Sequence, residues 1–193
     1  MIASQSQNPL SPEDYLESEK SSPIKHEYIQ GQIYAISGAS DAHVTITANL
    51  VTLLRNHLRG SGYKVYPTDM KVNIESLNVF YYPDLMVTCN PTDTSFDYFK
   101  RHPCLIIEIL SSSTEAFDRG DKFANYRELE SLQEYVTVNQ TRPSVECFRL
   151  NAEGFWVLHT YEKKQTLHLD SIDFSCSMAA LYEDFIFSET HSS

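Results

Sequence analysis

The residues best suited to chemistry are two acids on separate apolar runs. Asp84 follows Pro83 in Tyr81-Tyr82-Pro83-Asp84-Leu85-Met86-Val87, and Glu108 lies between isoleucines in Leu105-Ile106-Ile107-Glu108-Ile109-Leu110-Ser111. An ionised carboxylate inside such a strand is unfavourable unless it is paired or bound to a metal. If the two runs are neighbouring strands, both carboxylates project from one sheet edge toward a single hard cation. Mg2+ takes one or two carboxylates and completes its shell with water and phosphate oxygens. Such an ion lowers the pKa of a bound water and holds a scissile phosphate. A plainer reading stands beside this one: Pro-Asp is frequent at turns, and a single acid in an apolar strand can face solvent.

A third element lies downstream. Asp118, Lys122 and Tyr126 fall at i, i+4 and i+8, so they share one helix face. As an ordinary surface pair, Asp118 and Lys122 contribute about 0.3–0.5 kcal/mol. In the functional reading Lys122 points back toward Asp84 and Glu108, where a cation orients the attacking water and offsets charge on the phosphate.

These residues need elements to position them. Ser11-Pro12-Glu13-Asp14 reads as a helix start, with Ser at the N-cap, Pro at the first position and acids in the first turn. Residues 25–36 alternate on both sides of Gln30-Gly31, which predicts a hairpin. From Asp41 the period becomes helical through Val44, Leu50, Leu54 and Leu58, and Gly60-Ser61-Gly62 ends it. Strand-like runs follow at 64–67, 70–74, 79–89 and 104–110, with a turn-rich loop at 90–102. Residues 114–132 read as one helix. Strands are predicted at 134–139, 144–150, 155–161 and 167–169, and a last helix at 178–187. The domain reading is a flexible tail at 1–10, a single domain at 11–187 and a second tail at 188–193. The pattern is mixed α/β around a central sheet, not strict β-α alternation.

The combined pattern has a known likeness. Pro83-Asp84, Glu108 in Ile-Ile-Glu-Ile-Leu-Ser-Ser-Ser-Thr, and Asp118-Arg119-Gly120-Asp121-Lys122 with Tyr126 resemble the PD-(D/E)XK nuclease superfamily. The chain is most similar to the cyanobacteria-rich restriction endonuclease family called Uma-two. Its members read Pro-Asp, then Glu-(Val/Ile)-Leu-Ser-Pro-Ser-Thr, then Asp-x-x-x-Lys-x-x-x-Tyr. Residues 27–38 and His43 resemble that family's upstream hairpin and following histidine. The likeness spans about residues 11–185.

The resemblance implies a fold and an activity. The fold is α/β, a restriction-endonuclease-like mixed central β-sheet flanked by helices at 41–60 and 114–132. The activity is Mg2+- or Mn2+-dependent endonucleolytic cleavage of DNA by a metal-activated water, in a homodimer; a cytoplasmic setting is the default reading of the cysteine usage and of residues 1–10. Asp84 and Glu108 would hold the metal with the backbone carbonyl of Ile109, Lys122 would position water or phosphate, and Glu27 would assist. Glu27 reads equally as a solvated strand charge, and His43 as a local helix cap. The superfamily's usual lysine, two residues after the strand acid, is here Leu110, so the lysine role would migrate to Lys122. The family's proline after the first serine is here Ser112. A catalytically inactive module that binds nucleic acid or protein is the alternative.

Composition bounds these readings. The chain has 193 residues, net charge −11, 41% hydrophobic residues and 12% aromatic residues. That suffices for one sizeable core and argues against disorder. The acidic balance opposes a generic charge-driven nucleic-acid coat. Apolar runs are too short to span a membrane, and residues 1–10 read as no signal peptide. The four cysteines form no CxxC pair, and Cys104 reads as a small buried hydrophobe. Lys100-Arg101-His102 is the densest basic cluster, either a solvated loop or a phosphate contact. No nucleophile elbow, Walker A or dinucleotide glycine pattern occurs.

Overall fold

The computed structural model describes residues 9–185. Helix α1 (Pro12–Glu19) starts where Ser11 accepts the Asp14 N–H. Strands β1 (His26–Ile29) and β2 (Gln32–Ala35) form the expected hairpin. Its turn residues Gln30 and Gly31 both take positive φ, 50° and 94°, the primed geometry that matches strand twist. Helix α2 (Asp41–His57) is capped by Ser40, which accepts the His43 N–H.

The run from Val79 is not one strand. It divides into β5 (Val79–Tyr81) and β6 (Leu85–Thr88), which belong to different sheets. Pro83 has no N–H for a ladder, so Tyr82-Pro83-Asp84 is where the chain leaves one sheet and enters the other. One sheet also holds β4 (Lys71–Ile74) and β7 (Phe99–Lys100), in the order β2-β1-β5-β4-β7. The other holds β3 (Lys64–Pro67), β8 (Leu105–Leu110), β9 (Glu134–Asn139), β10 (Ser144–Leu150) and β11 (Trp156–Glu162). Its order is β11-β10-β9-β8-β6-β3, and only the β8–β9 pair is parallel. The mixed central sheet is therefore present, accompanied by a second sheet that periodicity did not predict.

Strand β8 is buried at all six positions, the pattern of a strand covered on both faces. Ile107 and Ile109 share one apolar cluster with Ile46, Leu50 and Leu54 of α2. A small sheet of β12 (Thr166–Leu169) and β13 (Phe174–Ser177) joins that cluster through Leu167, Leu169 and Phe174. Ile106 belongs to a second cluster with Val72, Ile74, Val79 and Tyr81 of the other sheet, and with Phe123, Tyr126 and Tyr135. Glu108 is two residues beyond Ile106, on the same face of β8, and therefore faces the seam between the two sheets.

The predicted helix at 114–132 is broken. A turn of helix α3 (Glu115–Phe117) runs into a π-helical turn at Asp118–Lys122, then α4 (Phe123–Tyr126), then turns to Leu132. Gly120, with φ −107° and ψ −105°, interrupts the helical conformation. Within the loop at 90–102 lie a 3-10 turn at Pro91–Ser95 and β7. Helix α5 (Met178–Leu181) follows β13 and stops short of the predicted 187, because the chain turns at 182–184, where Asp184 takes a positive φ of 60°; residues 186–187 of that predicted helix, the 188–193 tail and residues 1–8 lie outside the described residues. Leu10, placed in the flexible tail by sequence, is docked. Its N–H donates to the Gly31 carbonyl (2.9 Å) and its own carbonyl accepts from the Tyr28 hydroxyl (2.9 Å).

Candidate active site

Four chain segments deliver one group each to the seam. Asp84 comes from the sheet crossing, Glu108 from β8, Lys122 from the π turn and Glu27 from β1. Lys122 Nζ lies 3.0 Å from Glu108 Oε1, 3.1 Å from Glu27 Oε1 and 3.7 Å from Asp118 Oδ1. The Tyr126 hydroxyl donates to Glu108 Oε1 (3.0 Å), and the Asp84 N–H donates to Glu108 Oε2 (3.2 Å). The Ile109 N–H donates to Asp84 Oδ2 (2.7 Å), and His43 Nε2 is 2.8 Å from Asp84 Oδ1. The Tyr82 N–H donates to Glu27 Oε1 (3.2 Å).

The structure thus brings Asp84, Glu108, Lys122 and Glu27 together, with the Ile109 backbone against Asp84. Sequence reasoning left two of these open. Glu27 is not a solvated charge; it is 4% exposed and paired with Lys122. The Asp118–Lys122 pair is not a surface pair either, since the residues are 4% and 5% exposed. His43 caps nothing with its ring, which reaches Asp84 from the first turn of α2. Asp118 and Tyr126 complete the cluster, and their spacing with Lys122 was the available signal. Tyr81 adds a ring face 5.5 Å from Lys122 Nζ, and its hydroxyl accepts from the Asn125 amide.

Electrostatics follow from burial. Removal from water pushes the Glu108 carboxyl well above its ordinary range; Lys122 opposes this, while Asp84 and Asp118 add to it. Burial would lower the Lys122 ammonium, but Glu108 and Glu27 outweigh it and hold the amine well above its usual value. Burial likewise raises Asp118. Three carboxylates face the Lys122 ammonium and Asp84 lies beside Glu108, so the cluster holds more acids than bases. It opens toward solvent at Asp84 and His43, whose side chains are 19% and 14% exposed.

The other basic candidates are used elsewhere. Lys100 is buried and donates to the carbonyls of Asp93 (2.9 Å) and Phe96. Arg101 pairs with Glu75 (3.0 Å), and His102 with Asp93 (3.1 Å). That cluster is neither a solvated loop nor a free phosphate contact; it fastens its own loop. Cys104 is buried, as its apolar surroundings predict, and among the described residues all four cysteines are free. No helix among the described residues is long and apolar enough to cross a membrane.

A family model, Uma2, described as "Putative restriction endonuclease", matches residues 12–179. The "Uncharacterized protein slr1290" of Synechocystis is 39% identical over 178 residues, covering 92% of this chain and 94% of that protein. The "Uncharacterized protein sll1609" of the same organism is 36% identical over 152 residues, covering 77% and 85%. Among solved structures, "a putative nuclease belonging to DUF820 from Anabaena variabilis ATCC 29413" superposes with a TM-score of 0.72 over 90% of this chain and 98% of that one. At 15% identity that likeness is one of fold.

Proposed function

We propose, because this chain belongs to the Uma2 restriction endonuclease family, that it is a divalent-metal-dependent nuclease hydrolysing phosphodiester bonds of DNA. One observation carries the proposal: Glu108, at the centre of an apolar strand, is contacted by Lys122 at 3.0 Å and by the Asp84 backbone at 3.2 Å.

The donor set fits Mg2+ or Mn2+. Asp84 and Glu108 offer hard carboxylate oxygens, and the excess of acids over the one ammonium favours an added cation. The Ile109 N–H points at Asp84. In a strand, the N–H and C=O of one residue leave on the same side, so the Ile109 carbonyl can serve as a third oxygen. Such an ion would supply polarisation of a phosphoryl oxygen and a water of lowered pKa.

The protein's own groups do the rest. Lys122, held charged by two carboxylates, donates toward the attacking water or a non-bridging phosphate oxygen and stabilises charge that grows in the transition state. Tyr126 fixes the Glu108 rotamer, and His43 and the Ile109 N–H fix Asp84. Glu27 anchors Lys122 from the opposite sheet. The lysine missing at position 110 was the feature favouring a silent binding module. Lys122 supplies an ammonium at the strand acid, which supports the catalytic reading over it. The homodimer implied by the family resemblance is part of the same proposal and is checked by sedimentation velocity.

The test is direct. Purified protein with Mg2+ or Mn2+ should cut plasmid DNA, and Asp84→Ala should abolish cutting. Equal cutting by both proteins refutes the site; cleavage of RNA but not DNA reassigns the substrate.

A further inference from the structure

Lys71 is the least explained charge in the molecule. The residue is 5% exposed on β4, yet among the described residues its ammonium makes no salt bridge and no hydrogen bond. Every buried side-chain nitrogen and oxygen among the described residues has a partner. The Lys71 ammonium therefore keeps an opening to solvent, while its alkyl stem is buried. It sits over the Tyr82 ring, 4.9 Å from the centroid, and Lys25 Nζ lies 5.8 Å from the same ring. Lys25 pairs with Asp69. The nearest buried carboxylate, Glu19, is already taken by His26 Nδ1 (2.8 Å) and by the Tyr82 hydroxyl (3.1 Å). Burial lowers the Lys71 pKa, and Lys25 lowers it further, against Glu19 and Asp69. An ammonium whose stem is buried, and which has a ring face but no hydrogen-bond acceptor among the described residues, gains from an incoming anion.

Its place matters. Tyr82 immediately precedes Pro83-Asp84, and the Thr68 N–H donates to the Asp84 carbonyl (2.9 Å), tying the β3–β4 turn to the same crossing. Lys71 begins β4, Tyr82 follows β5 and Lys25 precedes β1, so the three lie at the end of the five-stranded sheet from which the chain passes to Asp84. Tyr81 turns its ring toward Lys122, and Tyr82, the next residue, turns to the opposite face. A nucleic-acid strand with its scissile phosphate at Asp84 that bends around this sheet end would bring a neighbouring phosphate to Lys71.

We propose that Lys71, assisted by Lys25, binds a backbone phosphate of the nucleic acid flanking the cleaved bond. This rests on the nuclease reading above. It gives a strongly acidic protein a built cationic contact that positions the polyanion beside its acidic centre.

Binding of a fluorescein-labelled DNA duplex in Mg2+, followed by anisotropy across a salt series in a cleavage-silent Glu108→Gln background, tests it. Lys71→Met should weaken binding several-fold and reduce the slope of log K against log salt by about 0.9, the loss of one phosphate contact. Lys71→Arg should retain both affinity and slope. Lys25→Met, on an exposed side chain that does not threaten the fold, should weaken binding in the same direction. Lys163→Met, on the exposed β11–β12 turn, should change nothing. Unchanged affinity and slope in Lys71→Met overturn the inference and leave the nuclease reading intact. Failure of the parent protein to bind or cut DNA at all overturns both. If inorganic phosphate raises the melting temperature of the parent but not of Lys71→Met, while duplex binding is equal, the ligand is a free anion and the nucleic-acid assignment is wrong.

Discussion

At the scale of single residues, Lys122 and Glu108 set the behaviour of the site. Removing one partner of a buried ion pair leaves the other uncompensated, at about 3–5 kcal/mol. Lys122→Met should therefore abolish cleavage and also lower the unfolding free energy by that order, read as a lower urea midpoint, because Glu108 and Glu27 stay buried without a cation. Glu108 gives a second, opposite expectation. Its folded carboxyl binds a proton more tightly than the unfolded one, whose value is near 4.5. Between that value and the higher folded one, the native state holds more protons, so stability falls as pH rises. Metal-free protein should lose stability as pH climbs from about 4.5 into the higher folded range, and Glu108→Gln should flatten that slope in thermal melts. Like-charge crowding predicts the same sign for Asp84→Asn, which should melt no lower than the parent without metal. A clear drop would show that the His43 and Ile109 hydrogen bonds to Asp84 outweigh repulsion from Glu108.

At the scale of elements, position comes from interruptions. Pro83 ends one sheet and starts the next, which puts Asp84 at the seam. The π turn at Asp118–Lys122 holds Asp118 and Lys122 against Glu108 while α4 carries Tyr126 to the same acid. Deleting Gly120 removes the kink and rotates Lys122 by about 100° about the helix axis relative to Asp118, away from its present place 3.0 Å from Glu108 and 3.1 Å from Glu27. The deletion should cost cleavage and metal affinity while circular dichroism stays near the parent's. Both interruptions carry a local mark, Pro83 within residues 79–89 and Gly120 within residues 114–132, but the apolar pattern runs on across each of them, so the periodicity reads as one strand and one helix. Ser11, Gln30-Gly31 and Ser40 were legible because capping and primed-turn chemistry is local. A side chain at Gly31 would need positive φ and would meet the Pro9 Cβ at 2.6 Å. Gly31→Ala should destabilise the hairpin by about 1–2 kcal/mol, read as a lower melting temperature.

At the scale of the whole molecule, the site exists because two sheets meet over it. Glu108 belongs to the six-stranded sheet and Glu27 to the five-stranded one, and Lys122 spans them. The cluster was partly legible in sequence: the order of acid, acid and lysine was visible. That Glu27 arrives from an opposing sheet was not, because a residue's partner across a seam leaves no periodic trace. The same geometry couples ligand binding to global stability. Carboxylates gathered in the seam repel one another, and a cation bound only by the folded state would offset that repulsion. An ion present at 100 times its dissociation constant adds about 2.7 kcal/mol to folding. Mn2+ should therefore raise the melting temperature of the parent protein by several degrees, and calorimetry should show binding heat. Both should vanish in Glu108→Ala, which removes a ligand, and persist in Lys163→Met, which touches only the exposed turn. A shift of equal size in Glu108→Ala would place the ion elsewhere and detach the metal from the seam.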